Sequence, residues 1–156
     1  MTDSLPLANF FSSQATIQFH IEDIQVDLPE ASLMEYWLKE VIAREDRQLH
    51  QVNFIFCTDE YLHQLNVQYL QHDTLTDIIT FPYQDPPVVE GDIFISVDRI
   101  RENAAIYGVS FFQELQRVMA HGILHLCGYL DKTPEEKVLM RRKENEALIL
   151  LEQMSR

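Results

Sequence analysis

The sequence predicts a mixed α/β fold: a single mixed β-sheet of about four strands, packed with helices, in one domain spanning residues 1–156. Three observations predict it. Short strand-like runs recur up to residue 96 and alternate with segments of helical spacing. Beyond residue 98 the spacing is helical alone. The chain has 156 residues, 46% of them hydrophobic, which is enough for one core and too short to expect two.

The elements follow in order. From Ala15 to Ile21 the residues alternate, with Thr16, Gln18 and His20 on one face and Ile17, Phe19 and Ile21 on the other, as in a strand. Ala31 to Arg44 has helical spacing through Leu33, Met34, Trp37, Leu38 and Val41. Val52 to Cys57 is apolar enough for an inner strand, and Asp59 is positioned to cap a helix running through Tyr61, Leu62, Leu65 and Tyr69. Asp77 to Phe81 reads as a strand ended by Pro82, and Gly91 to Ser96 as another, with a loop from Gln84 to Glu90 between them. Three helices complete the chain: Asp98–Tyr107, Phe111–Cys127 and Pro134 to about Met154. Strand order does not follow from the sequence.

Composition excludes several functions. No apolar run approaches the length of a membrane span, and the N-terminus lacks the basic start of a signal peptide. Cys57 and Cys127 form no Cys-x-x-Cys pair and read as reduced thiols in a cytoplasmic core. The net charge of −13 disfavours a broad, non-specific grip on nucleic acid. Only Lys39, Arg44 and Arg47 are basic within residues 1–70, so positive surface belongs mostly to the second half. There Arg99, Arg101, Arg117 and the run Arg141-Arg142-Lys143 could supply it, the run reading better as a solvated helix face.

That half also carries the most informative stretch, His121-Gly-Ile-Leu-His125-Leu-Cys-Gly128-Tyr129-Leu-Asp131. Residues i and i+4 share a helix face, so both imidazoles can address one ion. Gly128 can take the left-handed conformation that ends a helix, and the returning chain brings a carboxylate at Asp131. Three protein ligands with an open position describe a catalytic metal site. The competing reading, two histidines on a core helix, fares worse. The segment is apolar nearly all round, and an unpartnered polar group there costs roughly 1–3 kcal/mol. Gly122 in mid-helix, unfavourable by about 1 kcal/mol against alanine, suggests a close approach to the backbone.

The motif resembles the His-Gly-x-Leu-His-Leu-x-Gly-Tyr-Asp-His signature of the YbeY family of bacterial metal-dependent endoribonucleases. Two further blocks agree. Leu65-Asn66 through Thr76-Asp77-Ile-Ile-Thr80-Phe81-Pro82 is similar to that family's Leu-Asn-x-x-Tyr-Arg-x-x-Asp-x-Pro-Thr-Asp-Val-Leu-Ser-Phe-Pro, and Gly91-Asp92-Ile93 to its Gly-Asp-Ile strand. The resemblance implies a cytoplasmic, single-strand-specific endoribonuclease. It would act in ribosomal RNA maturation, at the 3′ end of small-subunit RNA, and in ribosome quality control. It further implies one zinc ion on His121, His125 and Asp131. The partners would be ribosomal RNA and the small subunit or its proteins, with no membrane and no nucleotide cofactor.

Two positions depart from the family. Its third ligand is usually histidine. Aspartate ligates zinc at similar distance, and a bound water would be less acidified than with three imidazoles. Leu70 stands where the family has an arginine thought to face the reacting phosphate. Either Arg99, Arg101, Arg117 or His72 supplies that charge, or the activity is weak. No general acid or base is identifiable, and Asp77 and Glu114 read as carboxylates orienting the histidines. A zinc peptidase is a poor alternative, because Gly122 stands where such enzymes need a glutamate base. Two histidines and a carboxylate also form the facial triad of non-haem iron oxygenases, which bound iron would reveal. The remaining alternative is a non-catalytic ribosome-assembly factor with a structural zinc, its acidity suited to basic ribosomal proteins.

Overall fold

The computed structural model describes residues 15–70 and 76–156. Along the chain run β1 (Thr16–Ile21), α1 (Ala31–Arg44), β2 (Gln48–Cys57), α2 (Asp59–Leu70), β3 (Ile78–Pro82) and β4 (Val88–Ser96). Then come α3 (Val97–Tyr107), α4 (Phe111–Leu126) and α5 (Pro134–Met154). The four strands form one mixed sheet in the order β1-β2-β4-β3. β1, β2 and β4 are parallel, and β3 closes the edge antiparallel to β4.

Strand alternation decides which face is covered. Phe54 lies opposite Ile93 and Phe56 opposite Ile95, and all four are buried in the main core beneath the helices. On the opposite face Cys57, Ile79 and Leu62 form a smaller core where α2 covers the sheet. α4 lies within the main core, burying Leu115, Val118, Met119, Ala120, Ile123, Leu124 and Leu126. Its start is fixed by a capping box between Ser110 and Gln113. Two glycines let it approach the sheet. A Cβ on Gly122 would lie 3.0 Å from two methyl carbons of Ile93, and one on Gly91 would lie 3.0 Å from Leu126 and 2.5 Å from the Phe81 carbonyl. α5 is anchored across the core, where the Trp37 indole donates to the Ala147 carbonyl at 2.8 Å.

Two boundaries differ from the sequence reading by more than one residue. β2 and β4 start earlier, at Gln48 and Val88, so the loop before β4 is shorter than Gln84–Glu90. The added residues pair with one another across the sheet, Gln48 with Val88 and Leu49 with Val89, a long-range hydrogen-bonding reason that local apolarity does not reveal. Asp59 is not the cap of α2. The Thr58 hydroxyl accepts from the Tyr61 amide at 3.2 Å, whereas Asp59 accepts from Ser96 Oγ and Arg99 and ties α2 to the start of α3.

Candidate metal centre

His121 and His125 project from one face of α4, their ring centroids 4.5 Å apart and nearly perpendicular. The helix stops one residue short of Cys127, and Gly128 adopts φ +112°, a conformation that strains any residue with a Cβ. The Gly128 amide donates to the His125 carbonyl and that of Tyr129 to the Leu124 carbonyl, both at 3.0 Å, folding the chain back over the helix end. Asp131 Oδ2 thereby arrives 3.2 Å from His121 Nε2 and 3.3 Å from His125 Nε2.

The other ring nitrogens define the protonation pattern. His125 Nδ1 lies 2.8 Å from the Tyr129 carbonyl, which can only accept, so Nδ1 carries the proton. His121 Nδ1 lies 2.7 Å from Glu144 Oε2, and a carboxylate there accepts in the same way. In neutral rings both Nε2 lone pairs then face the Asp131 carboxylate oxygen. Three acceptors meet with no proton between them, an arrangement that a cation relieves. The spacing also suits one. Tetrahedral zinc with bonds of about 2.0–2.1 Å holds its ligand atoms about 3.3 Å apart. The three donor atoms lie within 4.8 Å of one another, and among the described residues this is the group of histidine, cysteine and carboxylate side chains able to hold a metal ion.

Glu144, from α5, was not singled out in the sequence. It is buried, and besides His121 it receives Arg117 Nη1 at 2.9 Å. Burial pushes its carboxyl up, but the hydrogen bonds from His121 and Arg117 outweigh that and hold it below the ordinary glutamate value. Its signal in the sequence was positional. Met140, Glu144, Ala147 and Leu151 form one helical stripe, so a carboxylate stands on the buried face of α5.

The other sequence candidates are distributed as follows. Among the described residues no hydrogen bond or ion pair joins Glu114 to a histidine: it is buried and pairs with Arg117, which links it to Glu144. Asp77 lies close enough to His121 and Arg117 to feel their charge, and burial raises its carboxyl above the ordinary value. No described hydrogen bond joins it to either ring. Arg117 is held by Glu114 and Glu144, Arg99 by Asp59 and Glu102, and Arg101 donates to the Gln25 carbonyl and lies over Phe111. Leu70 ends α2 with its side chain exposed, and His72 falls outside the described residues. Arg141 and Arg142 are solvated as expected, but Lys143 turns inward to Glu45 at 3.1 Å. Cys127 is buried, and burial pushes its thiol up to about 12, so it offers no thiolate ligand.

Fold and donor set together define a one-sheet α/β protein with a metal-competent pair of histidines and a carboxylate at the end of its buried helix. The chain belongs to the endoribonuclease YbeY family, whose sequence profile matches residues 16–152. A relative from Amoebophilus asiaticus named endoribonuclease YbeY is 50% identical over 133 residues, 85% of this chain and 90% of the relative. Another of that name, from Flavobacterium johnsoniae, is 54% identical over 114 residues, 73% of this chain and 82% of the relative. The solution structure of TM1509 from Thermotoga maritima superposes with a TM-score of 0.62 at 27% identity, covering 86% of this chain and 88% of that one.

Proposed function

We propose that this single-domain hydrolase, residues 1–156, is a metal-dependent endoribonuclease of ribosomal RNA processing that holds one zinc ion on His121, His125 and Asp131. The observation that carries the reading is the convergence of the two Nε2 atoms on one carboxylate oxygen at 3.2 and 3.3 Å. When bound, zinc supplies Lewis-acid polarisation of a phosphoryl oxygen or activation of the attacking oxygen. The protein's own groups do the positioning. Glu144 and the Tyr129 carbonyl fix the Nδ1 protons and so aim both Nε2 lone pairs at a common point. Arg117 and, at 3.8 Å, Arg141 pair with the carboxylates behind His121, so Glu144 is held in place while it accepts from the imidazole.

The substrate is single-stranded RNA, cut during maturation of the small-subunit 3′ end and in ribosome quality control, with the small subunit or its proteins as partner and the cytoplasm as location. The buried, unpaired cysteines are compatible with a reducing compartment. No described helix is long and apolar enough to cross a membrane. The three arginines that could have replaced the family's phosphate-facing arginine are already engaged, so turnover is expected to be slow. The non-catalytic assembly-factor reading is not favoured by the family membership.

The test is cleavage of a small-subunit precursor RNA by the purified protein, with zinc, with a chelator, and in a His125→Ala variant. Metal-dependent cleavage lost in the variant, with ribosome association kept, supports the reading. Cleavage indifferent to both changes would sink the assignment of the site.

A further inference from the structure

The turn between α1 and β2 is far from the metal motif in sequence but reaches it in space. The Tyr129 hydroxyl donates to Glu45 Oε1 at 2.5 Å, and the other oxygen of Glu45 receives Lys143 Nζ at 3.1 Å. Lys143 also lies over the Tyr129 ring, 5.6 Å from its centroid. Two residues on from Glu45, Arg47 Nε donates to the Cys127 carbonyl at 2.8 Å. The segment 127–129, which connects the two histidines to Asp131, is therefore gripped at two points by residues of a single turn. Its Tyr129 carbonyl is the group that accepts the hydrogen bond from His125 Nδ1. Glu45 and Lys143 are both partly buried, which lessens the screening of their pairing by solvent.

We propose that Glu45, held by Lys143, is a positioning residue for the metal centre, acting through Tyr129 on the orientation of His125. The inference rests on the metal reading of the site. α5 then serves both histidines from neighbouring positions: Glu144 bonds His121 directly, and Lys143 acts on His125 through Glu45 and Tyr129. Partners that orient a metal-ligating histidine typically contribute 10–100-fold in metal affinity, and one acting a step further out belongs at the low end, about tenfold.

The test is the zinc dissociation constant, measured by competition with a chromophoric chelator, for wild type, Glu45→Gln, Tyr129→Phe and the double variant. Cobalt(II) spectra of each report ligand geometry. Tyr129→Phe keeps the backbone carbonyl and the ring while removing the hydroxyl, and it serves if Glu45→Gln folds poorly. Expected are about one zinc per wild-type chain, a loss of about tenfold in each single variant, an altered cobalt spectrum, and a double variant no worse than the singles. Wild-type affinity and spectrum in the variants would overturn the positioning role and leave the metal site standing. Losses that add would show two separate effects and overturn the route through Tyr129. A wild type that binds no zinc would instead overturn the metal reading on which the inference rests.

Discussion

Glu144 shows how much one side chain off the motif can govern. It satisfies His121 and Arg117 at once from a buried position, so removing it strips the imidazole of its orienting acceptor and leaves the guanidinium half-paired. Glu144→Ala is expected to lower zinc affinity by about 10–100-fold and stability by roughly 3 kcal/mol, read by chelator competition and urea unfolding. Asp77 gives a prediction with the opposite sign. Burial first, then Glu114, raises its carboxyl above the unfolded value, against the pull of its own amide, His121 and Arg117. A raised acid favours the folded state at low pH, and that benefit is lost as pH rises through the folded value. Metal-free Asp77→Asn should therefore be more stable than wild type near pH 7, the difference shrinking in acid through the carboxylate range. Urea midpoints at both ends decide it, and a difference independent of pH would refute the assignment. Leu70 is the third case. A guanidinium contributes a charge-assisted hydrogen bond of about 1.5–3 kcal/mol, so Leu70→Arg is expected to raise kcat/KM on RNA by about 10–100-fold. The convergence of the histidines and Asp131 was legible because their spacing is local. Glu144 was not, because it follows His121 by a whole helix and sits in a charged run.

At the scale of elements, α4 is the part the sequence described best. Its apolar periodicity, its start at Phe111 and its stop near Gly128 are all local properties, and the structure differs only by one residue at the end. Gly122 was legible as a sign of close approach, though not what approached: Ile93 of β4 and Ile78 of β3. Gly122→Ala gains about 1 kcal/mol of helix propensity but forces a methyl against buried, branched side chains at a cost of roughly 1–3 kcal/mol. Ile93 is fully buried and has nowhere to go, so packing decides, and the variant should lose about 1 kcal/mol by urea unfolding. A more stable variant would mean that the sheet yields and that Gly122 serves something other than fit. The early ends of β2 and β4 were hidden for a related reason. Gln48 and Val88 are strand residues only because each supplies the other's partner, and such pairing is written in neither segment alone.

For the whole molecule, the decisive fact is that the three donors meet where the buried helix α4 ends, His121 and His125 on the helix and Asp131 just beyond it. The fold class followed from the alternation of strand and helix patterns. The order β1-β2-β4-β3 did not, since it requires β2 and β4 to pair across an intervening helix and strand. That order brings Gly91 under Leu126 and so seats the last turn of α4, the one that carries His125. The main core of buried side chains from every β-strand except β3, and from α1, α3, α4 and α5, is complete without the 127–131 segment's polar groups. A bound ion therefore adds to a protein that is already folded, in contrast to small zinc modules that unfold without metal. With zinc at about a hundred times its dissociation constant the gain is about 2.7 kcal/mol, and a chain of this length shifts by about 2–4 °C per kcal/mol. Chelation should thus lower Tm by about 5–10 °C while leaving the far-ultraviolet circular dichroism at 25 °C unchanged. Collapse of that spectrum on chelation would make the ion part of the scaffold, and an unmoved Tm would mean that the three donors hold no ion at all.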